Sequence, residues 1–106
     1  MSNLQDSVLF TPYRLGQVTL RNRTIRSAAF ESMGKDFSPT QQLKDYHVAV
    51  ARGGVGMTTL AYAAVCRSGL SFDKQLWLRP EIVPGLREIT DAAVSYTHLR
   101  AHETTL

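Results

Sequence analysis

The spacing of apolar and polar positions divides the chain into a hairpin, a strand, a helix, a second strand and a second helix. Leu9, Phe10, Pro12, Tyr13, Leu15, Val18 and Leu20 fall in two short alternating segments with Gly16-Gln17 between them, so Val8 to Leu20 predicts a β-hairpin. The next strand candidate, Thr24 to Ala28, sets Ile25 and Ser27 on one face and Thr24, Arg26 and Ala28 on the other. Its end is small and unbranched, which lets another backbone or a flat ligand come close. Ser38-Pro39-Thr40-Gln41 predicts a helix start, with Ser38 as the cap, Pro39 in the first helical position and Gln41 reaching back. Leu43, Tyr46, His47 and Val50 follow at helical spacing, and Gly53-Gly54 stops the helix.

Val55 to Val65 is a continuous apolar run, the pattern of a strand covered on both faces in a parallel sheet. A loop through Arg67 to Ser71 follows, and Pro80 then opens a helix whose Val83, Leu86, Ile89, Thr90 and Ala93 share one stripe. Pro84 is compatible with that helix because it lies in the first turn. Parallel strands need a crossover, so the helix Thr40 to Arg52 is expected to link a strand near Ile25 to Ala28 with a parallel one near Met57 to Ala63. The fold class is α/β.

Composition narrows the function classes. With 106 residues, 43% hydrophobic and 20% charged, the chain has the make-up of one globular domain or part of a larger one. Its net charge of +3 comes from scattered residues with no basic run, so nucleic acid is not an expected partner. Cys66 is the single cysteine, which excludes an internal disulfide and fits a reducing compartment. The first residues carry no basic region followed by an apolar core, and no stretch approaches the roughly 18 apolar residues of a membrane span. A cytoplasmic location without a membrane partner is the expectation. Ser27 sits in no nucleophile elbow, Cys66 has no base fixed nearby in sequence, and no glycine loop of the phosphate-cradling type is present.

Leu9-Phe10-Thr11-Pro12 with Leu15-Gly16, then Leu20-Arg21-Asn22-Arg23, and later Gly53-Gly54-Val55-Gly56, resembles the N-terminal part of the old yellow enzyme family of flavin-dependent oxidoreductases. The resemblance runs from Val8 to about Ala93. It implies the N-terminal portion of a TIM (β/α)8 barrel preceded by a bottom-capping β-hairpin, and residues 1–93 are assigned to that unit. It also implies FMN as cofactor, NAD(P)H as reductant, and a small-molecule substrate with an electron-poor double bond that receives a hydride. Sites in such barrels lie at the C-terminal strand ends. The resemblance therefore places flavin contacts at Ala28, Ala29, Phe30 and Tyr62. Many relatives have Pro-Met where this chain has Ala28-Ala29, some have cysteine in place of Phe30, and Tyr62 stands where a small residue is common. Ala28 and Ala29 also fit simple packing positions, and Phe30 and Tyr62 fit core aromatics. No catalytic residue is assigned, and this portion alone is expected to be inactive. A non-catalytic α/β interaction module is the alternative function.

From Val94 the chain continues Ser95-Tyr96-Thr97-His98-Leu99-Arg100-Ala101-His102-Glu103-Thr104. This stretch resembles a translated reading frame of the transposase adapter used in sequencing libraries, so residues 94–106 are expected to be a non-native tail. His98 and His102 stand at the i, i+4 spacing of a metal pair, with His47 or Cys66 as conceivable additions. A third ligand at a defined spacing is lacking, and no metal is assigned.

Overall fold

The computed structural model describes residues 6–95. A hairpin of β1 (Tyr13–Leu15) and β2 (Val18–Leu20) leads into β3 (Ile25–Arg26), then helix α1 (Gln41–Arg52), β4 (Met57–Thr58), β5 (Ala63–Ala64), β6 (Leu76–Trp77) and helix α2 (Val83–Val94). β1 and β2 pair antiparallel with Leu15 opposite Val18, and Gly16 supplies the left-handed turn residue at φ +62°. β3 and β4 pair in parallel, Ile25 opposite Met57 and Arg26 opposite Thr58, with α1 as the connection between them. The expected parallel crossover is therefore observed. The tail residues 96–106 lie outside the described residues, and α2 itself runs through Val94.

The three sequence signatures meet at one corner. Asn22 is buried, and its Nδ2 donates to Gly54 O at 2.6 Å while its Oδ1 accepts from Thr24 N at 3.0 Å and Thr24 Oγ1 at 2.6 Å. Arg21 donates from Nε to Val55 O at 3.0 Å and from Nη2 to Ala51 O. Arg23 N donates to Leu9 O at 2.9 Å, and its guanidinium reaches Thr11 Oγ1 and stacks over Tyr13. Consecutive residues of one short segment thus hold the start of the chain, the end of α1 and the entry to β4.

Three local expectations change. The cap of α1 is Thr40, not Ser38: Thr40 is extended, and its Oγ1 accepts from Leu43 N at 3.1 Å while donating to Met33 O. Ser38 instead closes a two-residue turn in which Asp36 and Phe37 both have positive φ, and its Oγ receives Arg79 Nη2 at 2.9 Å. The apolar run from Val55 to Val65 is not one strand but two, because Tyr62 turns the chain at φ +57°. The second piece, β5, pairs in parallel with β6, an element absent from the sequence reading.

The core lies between the two helices and β6. Leu43 of α1, Leu76, Ile82, and Leu86 and Ile89 of α2 are buried together, with Met33, Leu60, Ala63 and Leu78 packed around them. Pro80 opens the turn before α2, and Pro84 occupies its first turn, where the missing N–H leaves no helical bond unmade. The Lys44–Glu88 pair joining α1 to α2 at 3.1 Å is exposed at the glutamate and adds little to the apolar contact. Among the described residues, no helix is long and apolar enough to cross a membrane.

The Asn22 corner leaves no room for a side chain at Gly56, where an added Cβ would stand 2.5 Å from Asn22 O and 2.9 Å from Thr24 O. Gly56→Ala is expected to destabilise the chain by about 2 kcal/mol or more, since backbone atoms on both sides must move. Gly16→Ala meets no atom within 4 Å, so only its left-handed conformation opposes it, at about 1 kcal/mol. Urea unfolding midpoints of the two variants provide the check, and equal midpoints would contradict the crowded corner.

Candidate functional site

Beyond the paired ends of β3 and β4 the chain exposes small and aromatic residues side by side. Ala28 and Ala29 are exposed, Phe30 is 63% exposed and Tyr62 51%. The Phe30 and Tyr62 rings meet edge to face with centroids 5.1 Å apart, and Phe72 packs on both at 5.2 and 5.5 Å. Phe30 and Tyr62 are therefore not core aromatics. They form a wall open to solvent, and Ala28 and Ala29 leave backbone accessible beside it.

Directly behind this wall lies a cluster of charges. Glu31, whose side chain is 2% exposed, faces Arg26 Nη2 at 3.0 Å and His47 Nε2 at 2.7 Å through Oε2. Its Oε1 accepts from Ala61 N at 3.2 Å. Arg26 Nη1 also donates to Thr59 O at 2.9 Å, and its guanidinium stacks over Tyr46. The inner face of α1 is therefore more than an apolar stripe, because His47, 1% exposed, carries a polar ring into the protein.

Burial lowers the His47 pKa from its ordinary value, Glu31 pulls it back up, and Arg26 adds to the lowering. The neutral ring that burial favours can accept at Nδ1 from Thr58 Oγ1 at 3.1 Å, while Nε2 faces the Glu31 carboxylate at 2.7 Å. The remaining candidate, Cys66, is exposed and begins a short 3-10 turn, where the Ser68 hydroxyl and the Gly69 and Ser68 backbone lower its thiol pKa. Among the described residues no group of three or more His, Cys, Asp and Glu is placed to hold a metal, and His98 and His102 lie outside them.

No family model matches the chain. It is 43% identical over 92 residues to the 4,4'-dithiodibutanoate disulfide reductase of Rhodococcus erythropolis, covering 87% of this chain and 23% of that protein. To the probable N-methylproline demethylase of Rhizobium meliloti it is 45% identical over 91 residues, covering 84% and 13%. In fold it is similar to 2-naphthoyl-CoA reductase in complex with 2-naphthoyl-CoA, with a TM-score of 0.79 over 85% of this chain and 14% of that one at 19% identity. The old yellow enzyme homologue from Zymomonas mobilis gives a TM-score of 0.74 over 85% and 25%, at 22% identity. In fold the chain is thus similar to part of the old yellow enzyme structures. It spans about a quarter or less of the length of these relatives.

Of the four residues expected at the site, Phe30 and Tyr62 come together as neighbours, while Ala28 and Ala29 stay on the open β3 side. Arg26, Glu31 and Phe72 are the residues that sequence reasoning missed. A signal was present for Glu31, a lone carboxylate directly after the apolar stretch Ala28-Ala29-Phe30, in a chain whose helix turns His47 inward.

The His47 geometry gives a pH dependence with a defined sign. Its native pKa is below that of the unfolded chain, about 6.5, so the unfolded state binds the proton more readily. The stability held in the neutral ring is complete above that pH and is lost as pH falls from it toward the lowered native value. Urea midpoints are expected to drop between about pH 7.5 and 5.5, a range above the ordinary carboxylate pKa values. His47→Gln, neutral throughout, is expected to flatten that profile. An unchanged slope in the variant would place the titrating group elsewhere.

Proposed function

We propose that this chain forms one wall of the FMN site of an NAD(P)H-dependent oxidoreductase, with Ala28, Ala29, Phe30 and Tyr62 against the flavin. The observation that carries this reading is the open aromatic and small-residue surface just past the ends of a parallel strand pair. A flat ring fits there: the alanines allow close backbone approach, and the rings of Phe30 and Tyr62 offer apolar contact without filling the surface. Two of the similar proteins are reductases by name, which supports redox chemistry. FMN, when bound, carries a hydride from NAD(P)H to an electron-poor double bond of a small-molecule substrate. The residues of this chain hold and orient the ring and keep water from one of its sides.

The hairpin has a matching role at the other end. Leu9, Phe10, Tyr13 and Leu15 are exposed apolar residues attached to the start of β3 through Arg23. In a closed (β/α)8 barrel they form the floor that caps the bottom.

The reading predicts two results. Among the described residues the strands pair only two by two, and the chain offers only one side of the site, so FMN fluorescence and NADH absorbance should stay unchanged on mixing. Assembled to the length of its relatives, the protein should purify with bound flavin, and Phe30→Ala should weaken FMN binding by up to about tenfold, the scale of one aromatic contact. A folded protein of that length without affinity for FMN would favour the protein-interaction module instead.

A further inference from the structure

We propose that Glu31 is a positioning residue whose buried carboxylate holds Phe30 and Tyr62 beside one another; its consequence for cofactor binding rests on the flavin reading above. The backbone ladder between β3 and β4 ends at Arg26 and Thr58, four residues short of both Phe30 and Tyr62. Regular pairing therefore does not set the separation of the two rings. Glu31 directly follows Phe30, and Ala61 directly precedes Tyr62. The 3.2 Å bond from Ala61 N to Glu31 Oε1 links these two positions, one residue from each ring.

The other carboxylate oxygen fixes this link to the scaffold. Oε2 meets Arg26 Nη2 of β3 and His47 Nε2 of α1, and these three buried atoms have no hydrogen-bond partner outside this ion-pair contact. Arg26 closes the loop by donating to Thr59 O, two residues before Ala61. The backbone on both sides of the link is unusual, with Ser32 at φ +53° and Tyr62 at φ +57°. Left-handed conformations of non-glycine residues persist where the surroundings determine them. Stacking on Phe72 brings the rings into contact but supplies no directional bond, whereas the carboxylate reaches strand, helix and the Tyr62 segment at fixed distances.

The test compares Glu31→Ala and Glu31→Gln with the unsubstituted chain by NMR, reading ring-to-ring nuclear Overhauser effects between Phe30 and Tyr62 and amide exchange at Ala61 and Leu43. Leu43, capped by Thr40 at the start of α1, reports whether the variant is folded. With Leu43 still protected, Glu31→Ala should lose the ring-to-ring signals and raise Ala61 exchange by about tenfold or more, a local opening. Glu31→Gln keeps an oxygen for the Ala61 amide and should restore that protection. If Glu31→Ala fails to fold, Glu31→Asp decides, because its carboxylate keeps the charge but is one methylene too short to reach Ala61 N as well as Arg26 and His47: weakened ring-to-ring intensity agrees with the proposal, and an unchanged one overturns it. Unchanged ring contacts in a folded Glu31→Ala overturn it as well. In the protein assembled to the length of its relatives, Glu31→Ala should also weaken FMN binding by about tenfold, about the effect of one misplaced aromatic contact. Absence of FMN binding by the unsubstituted protein would remove the flavin reading, while the ring contacts would still decide the role of Glu31.

Discussion

The side-chain amide of Asn22 is the contact on which the described chain depends most. A buried amide has to satisfy its donors and acceptors inside the protein, and Asn22 does so on backbone that belongs to two different elements. Its donor fixes Gly54, which ends α1, and its acceptor fixes the entry to β3. Shifting β4 by one residue would separate Asn22 from Gly54 and drive the neighbour of Gly56 into Asn22 O. The register of the β3–β4 pair is therefore imposed at its start, which matters because that pair is only two residues long. Arg21 and Arg23 extend the same control to Ala51, Val55 and Leu9.

From that corner the strands carry order toward the opposite end, where the construction changes from backbone pairing to buried charge. Arg26, Glu31 and His47 form a low-exposure cluster whose net contribution to stability is small, because desolvation offsets most of the attraction. Breaking it is different, since removing one partner leaves the others buried and unpaired, at about 3–5 kcal/mol. Such a cluster specifies one arrangement more strongly than it stabilises the fold. Placed directly behind an exposed aromatic wall, it keeps the wall's residues in place where an apolar filler of equal volume would let them shift.

Much of the fold could be read from periodicity because the relevant signals are local. The Gly16-Gln17 turn, the helical stripe of Leu43 and His47, and the Pro80 start before α2 each act within a few residues, and each is present. The cap was misplaced by two residues because Ser38-Pro39 and Thr40 both offer plausible chemistry, and the choice fell to a distant partner, Arg79, which occupies Ser38. The apolar run from Val55 to Val65 hid its break because Tyr62 is not a residue that announces a positive φ. β6 was missed because two residues carry no period, and its pairing with β5 is a tertiary decision. The aromatic pair was identified through family resemblance, while the carboxylate behind it is marked only by its place after Ala28-Ala29-Phe30, because its role depends on contacts thirty residues apart.

The make-up of the open wall and the cluster behind it make physical sense taken together. At its open surface this chain sets the small pair Ala28-Ala29 beside the exposed rings of Phe30 and Tyr62. Bulk there lies off the β3 backbone and on two neighbouring rings, which meet at 5.1 Å edge to face. Two alanines cannot hold a flat surface in place by their own packing, since they bury little area. The rings can, but only if each is held at a defined angle, and both are more than half exposed, so neighbouring side chains do not enclose them. A larger and more open wall therefore requires stronger support from behind than a compact one. The buried Arg26–Glu31–His47 cluster, joined to the residue before Tyr62, supplies that support at the point where the strand ladder has already ended.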